Sequence, residues 1–142
     1  MMTAIIRIAV PFSRLREVMG PGISELMTTV RTQGIGPTGP WLNHVTNLSR
    51  ELFEFEISVP VSSPVTPDGR VEAGVWPSMR VARTVYQGPY EGLENAWAEF
   101  EAWIAANGLR GATDIWEVYL VGPESSPNSA DWRTQLNRPL VE

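Results

Sequence analysis

Two stretches of this chain carry the same order of signals, and that repetition restricts the fold more than any other feature. The first runs from about Ala4 to Val61 and the second from about Met79 to Leu140. Each opens with a short β-branched run, Ile5-Ile-Arg-Ile-Ala-Val10 and then Val81-Ala-Arg-Thr-Val-Tyr86. Each continues with a Gly-Pro pair, Gly20-Pro21 and Gly88-Pro89. Proline is favoured in the first turn of a helix, so both pairs read as helix starts. In the second stretch Leu93, Ala96, Trp97, Phe100, Trp103 and Ile104 recur at the spacing of one helical face. Asn107-Gly-Leu109 then reads as a glycine cap. The matching face in the first stretch is Ile23, Leu26, Met27 and Val30, interrupted by Thr28 and Thr29, which lose rotamer freedom in a helix. Two strand-like runs follow each helix: Trp41 to Thr46 and Leu52 to Val59, then Ile115 to Val121 and Trp132 to Arg138.

The expected fold is therefore α+β, a strand-helix-strand-strand module written twice. Neither copy alone would bury much core, so the expectation is one domain over residues 1–142. Module one covers about 4–61, a linker 62–78, and module two about 79–140. The connector from Ser62 to Gly69 is rich in turn formers. The two copies are expected to be related by a pseudo-two-fold axis. Their antiparallel sheets, each covered by a helix on one side, would leave free faces that form a concave ligand groove.

Composition excludes several classes of function. The net charge is −5 and the 11 basic residues are scattered, with no cationic stripe to displace counterions from nucleic acid. No apolar run approaches the ~18 residues needed to span a bilayer, and no signal peptide is recognised at the start. The chain has no cysteine, which removes disulfides and thiolate metal sites. His44 is the only histidine, and no metal cluster or Ser-His-Asp set assembles around it. Gly34-Ile-Gly-Pro-Thr-Gly39 matches a dinucleotide fingerprint in letters, but it follows a helix and leads into a strand, the reverse of what that motif needs. The expectation is a cytoplasmic protein with no cofactor, no metal, no direct contact with nucleic acid and no membrane association.

One stretch points to chemistry. Asp114-Ile-Trp-Glu-Val-Tyr-Leu120 is strand-like except for its glutamate. Side chains alternate along a strand, so Trp116, Val118 and Leu120 share one face and Glu117 and Tyr119 the other. The apolar face is expected to meet the helices, leaving Glu117 and Tyr119 on the free face. A solvated surface glutamate is one reading. A carboxylate walled by aromatic rings, including Tyr86, is the other, and such a wall attracts cations. Burial in that setting should raise the pKa of Glu117. Aligning Trp41 with Trp116 places Leu42 and His44 in the positions of Glu117 and Tyr119. Phe55, on the alternating run from Leu52 to Ile57, joins these as a ligand-lining residue.

These residues resemble the GyrI-like small-molecule-binding domains, which include effector domains of multidrug-sensing transcription regulators and gyrase inhibitory proteins. The resemblance covers almost the whole chain. It is carried by Val81-Ala-Arg-Thr-Val-Tyr-Gln-Gly-Pro-Tyr90, Trp103-Ile-Ala-Ala-Asn-Gly-Leu109, Trp116-Glu-Val-Tyr119, Gly122-Pro123, and Trp132-Arg-Thr through Arg138-Pro-Leu140. It implies the doubled module and places Glu117 and Tyr119 within a ligand groove. The family often has histidine where Tyr86 stands. No helix-turn-helix is read ahead of the first strand. Three functions follow from the resemblance: a stand-alone binder of hydrophobic, often cationic or planar molecules; a hydrolase that opens cyclopropane rings of DNA-alkylating natural products, with Glu117 as its catalytic group; and a gyrase-inhibitor-like interaction module.

Overall fold

The isoleucine-rich run near the start forms strand β1 (Met2–Val10) in the computed structural model, which describes residues 1–141. Helix α1 (Leu15–Thr32) follows, then β2 (Leu42–Leu48), β3 (Phe53–Pro60) and a short β4 (Glu72–Val75). These elements make up a first unit, Met1–Ser78. Its strands run antiparallel in the order β4-β1-β3-β2. The second unit begins at Met79. It contains β5 (Val81–Gln87), α2 (Leu93–Ala106), the two-residue β6 (Arg110–Gly111), β7 (Ile115–Val121) and β8 (Arg133–Val141). Its antiparallel order is β7-β8-β5, with β6 on the end of β8.

Strand-helix-strand-strand thus occurs twice, and the pairing is the same in both copies. The last strand of each module lies between the other two: β3 between β1 and β2, β8 between β5 and β7. Both helices also end alike. Gly34 and Gly108 adopt φ of 69° and 70°, a left-handed conformation that only glycine takes without strain. The next residue then donates back to the helix, Ile35 to the Val30 carbonyl at 3.3 Å and Leu109 to the Ile104 carbonyl at 3.1 Å.

The first unit packs α1 closely on its sheet. Gly22 is buried, and a Cβ there would lie 2.8 Å from Ile57 Cδ1 and 3.2 Å from Ile8 Cδ1. That contact identifies the α1 side of the sheet. Residues directly opposite in an antiparallel pair share a face, so Ile6, Ile8, Phe55, Ile57, Asn43 and Val45 all look toward α1. Arg7, Glu56, His44 and Leu42 look the other way.

Three expectations need correction. Pro21 does not start a helix but sits inside α1. The residue before a proline is pushed out of the helical region mainly by its own Cβ, and Gly20 has none. The true counterpart of Pro89 is Pro11: each precedes a short 3-10 turn, Phe12–Arg14 and Tyr90–Gly92, that leads into its helix. Trp103, assigned to the apolar stripe of α2, is 54% exposed, while Trp97, Phe100 and Ile104 are buried. The segment read as linker contains β4, which pairs with β1 from Met2↔Val75 to Ile5↔Glu72; its Ala-Gly interior carries little strand propensity.

Gly22→Leu is expected to force α1 off Ile8 and Ile57 and to lower stability by about 1–3 kcal/mol, measured as a shift in the denaturant midpoint at unchanged slope.

Candidate functional site

Strand β7 is buried on both faces, from Ile115 through Tyr119. Its Glu117 is 8% exposed. The carboxylate accepts two hydrogen bonds from neutral groups: Trp97 Nε1 of α2 donates to Oε2 at 2.8 Å, and Tyr119 Oη donates to Oε1 at 2.8 Å. The bond from Trp97 shows that Glu117 and Tyr119 face the helix, not the open side. The sequence expectation is reversed here. It assumed that an apolar face marks the helix side, but Trp116 and Val118 are 3% and 6% exposed on the other face. When both faces are covered, alternation cannot say which one meets the helix.

Around this pair the second unit gathers further aromatic rings. Tyr90 meets Tyr119 edge-on at 5.9 Å and lies 4.8 Å from the Trp132 ring, centroid to centroid. Burial, then the nearby charges of Glu124 and Glu117, push the Tyr90 hydroxyl up to about 12, so it stays a neutral donor. Tyr86 shares the α2 side of the sheet, because both it and Tyr119 stand opposite Thr134. Its hydroxyl donates to the Pro89 carbonyl at 2.8 Å. A Cβ at Gly92 would collide with that hydroxyl, so the glycine leaves room for the phenol. Thr134, at 0% exposed, has no hydrogen-bond partner for its hydroxyl among the described residues.

Burial raises the pKa of Glu117 above that of a free glutamate, and the bonds from Trp97 and Tyr119 oppose the shift without cancelling it. The folded state therefore holds the proton more tightly than the unfolded chain. Between the two pKa values the folded protein binds more protons, so stability falls as pH rises through that interval.

The other expected site residues lie in the first unit. Phe55 is 1% exposed on the α1 side, its ring 5.5 Å from that of Phe53. Leu42 and His44 are on the opposite face of that sheet. His44 Nδ1 is 2.9 Å from Glu56 Oε1, and this contact is the largest influence holding the Glu56 carboxyl below its usual value. Because Glu117 and Tyr119 face α2, their counterparts facing α1 on β2 are Asn43 and Val45. Leu42 and His44 do lie on the side away from the helix, as expected, but they are offset by one residue from the equivalents of Glu117 and Tyr119. Sequence reasoning missed Trp97 as a partner of Glu117, because an indole on a helical stripe reads as core. It also missed Tyr90 and Trp132. Among the described residues no group of three His, Asp or Glu could hold a metal ion.

Trp97→Phe removes one donor to Glu117. The pKa of Glu117 is expected to rise further, read from the side-chain carboxyl carbon in an NMR pH titration with Glu117→Gln as the assignment control.

Several solved structures share this fold. The EcmrR C-terminal domain superposes with a TM-score of 0.84 at 22% identity, covering 99% of this chain and 91% of that one. The chain spans about half, 54%, of the full EcmrR chain seen in its DNA complex. A hydrolase from Listeria innocua matches with a TM-score of 0.65 at 16% identity over 99% of this chain and 87% of that one. SAV2435 bound to tetraphenylphosphonium matches with a TM-score of 0.65 at 11% identity over 99% and 88%. No curated protein matches significantly. The family profile of the GyrI-like small molecule binding domain matches residues 23–140, and the chain belongs to that family.

Proposed function

We propose that this protein binds lipophilic cations that carry aromatic rings, for sensing or sequestration, and that Glu117 is the residue that recognises their charge. The observation that carries this reading is a buried carboxylate whose partners are both neutral. Neither Trp97 nor Tyr119 balances its charge, and among the described residues no arginine or histidine pairs with it. Such a group favours the arrival of a positive charge, and aromatic faces are the wall a cation prefers. Tyr119, Tyr90 and Trp132 supply rings, Tyr86 and Thr134 lie beside them, and Tyr90 and Trp132 are only partly buried. Tetraphenylphosphonium, the ligand of SAV2435, is a cation enclosed by phenyl rings, the chemistry that such a site would take.

A second reading is hydrolysis. The Listeria hydrolase shares the fold, and a carboxyl whose pKa is raised is a stronger base than a free glutamate. Incubation with a cyclopropane-bearing alkylator is expected to yield a ring-opened hydrate if Glu117 activates water. Turnover retained in Glu117→Gln, or no product with excess protein, counts against that role for the substrate tried.

The binding reading makes a sharper prediction. Replacing Glu117 with Gln keeps the shape and removes the charge. A charge-assisted contact in a partly buried site contributes roughly 1.5–3 kcal/mol, so affinity for a rhodamine-like cationic dye should fall about ten- to hundredfold. A neutral analogue of similar size should lose much less. With the unmodified protein, cation affinity should fall as pH drops through the pKa of Glu117, while the neutral analogue stays level. Fluorescence titration of both dyes against both proteins checks this; equal losses would mean a collapsed pocket.

A further inference from the structure

Strand β5 ends the β7-β8-β5 order with one edge unpaired among the described residues. The ladder with β8 shows which backbone groups that edge presents. Leu140 donates to the Arg80 carbonyl at 3.0 Å and Gly88 to the Trp132 carbonyl at 2.9 Å, so even-numbered residues of β5 bond inward. Val81, Arg83, Val85 and Gln87 therefore turn their backbone N–H and C=O groups outward. Arg83, Thr84 and Val85 are exposed in succession, Val85 at 49%.

Natural edges are guarded by lysine, proline, a bulge or a covering segment. This chain has no lysine, β5 has no proline, and its register with β8 is unbroken. Its one charge is drawn back across the sheet, since Arg83 Nε donates to Asn137 Oδ1 at 2.6 Å. On the α2 side the edge borders a cavity of about 370 Å³ walled by Thr84, Tyr86, Phe100 and Trp103. Trp103 is 54% exposed and stacks on Phe100 at 6.1 Å.

We infer that the β5 edge is an interface for a second copy of this chain, joined antiparallel about a two-fold axis at Thr84. The strand is self-complementary in that register and no other of equal length. Thr84 is the midpoint of its seven residues, so all four outward-bonding positions find partners: Val81 with Gln87 and Arg83 with Val85 of the second copy, each way. An axis at Arg83 would oppose two arginines. With the axis at Thr84, no like charges face each other, and two threonines meet on the axis, a favourable cross-strand pair. The two-fold keeps both α2 helices on one side of the joined sheet, so Trp103 of each copy flanks the seam.

The absence of cysteine makes the register directly testable. Thr84 and its copy would form a non-hydrogen-bonded pair with Cα atoms about 4.5 Å apart, within disulfide reach. Thr84→Cys is expected to give a disulfide-linked dimer on a non-reducing gel. Val85→Cys, two residues out of register with its own copy, is expected to stay monomeric there. By light scattering the unmodified protein should be dimeric and Val85→Lys monomeric, with unchanged circular dichroism. Val75→Lys, at a 63% exposed position on β4, serves as control and should remain dimeric. A monomeric unmodified protein, a dimer that survives Val85→Lys, or equal cross-linking at both positions would overturn the proposal.

Discussion

A carboxylate taken out of water must be held by something, and here it is held by two neutral donors. Moving an ionised carboxylate into a protein interior costs several kcal/mol. Each hydrogen bond to a charged group returns roughly 1.5–3 kcal/mol. Two such bonds oppose that cost without cancelling it, which agrees with the upward direction of the Glu117 pKa. Three placements in the second unit are tied to this one residue. Trp97 fixes how α2 sits on the sheet, because its indole must reach Oε2. Tyr119 must lie two residues along on the same face, and the register of β7 against β8 shifts only after it, between Tyr119 and Val121. Tyr90 then covers Tyr119 edge-on.

The first unit solves the same local problem differently. Asn43 stands on the α1 side of β2 as Glu117 stands on the α2 side of β7, each opposite an apolar residue of the central strand, Ile57 and Leu136. Asn43 is 4% exposed, and its side-chain oxygen has no partner among the described residues. On the other face of that sheet Arg7 forms ion pairs with Glu56 and Glu72, and His44 contacts Glu56. The same module thus carries its charge on opposite faces in its two copies. A buried amide is far cheaper than a buried carboxylate, so the same position costs the two copies very different amounts.

The architecture was legible because strand and helix periods differ, and the order of those periods repeats. Glycine caps at the ends of both helices added fixed landmarks. What failed was the assignment of faces. Alternation along Ile115 to Val121 correctly separates Glu117 and Tyr119 from Trp116 and Val118, but sidedness needs one exposed face, and β7 has none over its first five residues. The same limit made Leu42 and His44, which do face away from α1, into equivalents of Glu117 and Tyr119, which face α2. Trp97 and Trp103 occupy the same stripe in sequence, yet one binds Glu117 and the other is exposed. Period alone does not distinguish them, because the stripe is wider than the surface it meets. β4 was missed because its Ala-Gly interior carries little strand propensity and only its place beside β1 makes it a strand.

The indole that donates to Glu117 is also a chromophore. Excited indole shifts its dipole toward the benzene ring, and its emission energy follows the charge beside the pyrrole nitrogen. At 2.8 Å from Glu117 Oε2, Trp97 is placed to register whether that oxygen is charged or protonated. The same contact that seats α2 therefore gives the protein an intrinsic optical signal for the state of its carboxylate, with no label attached.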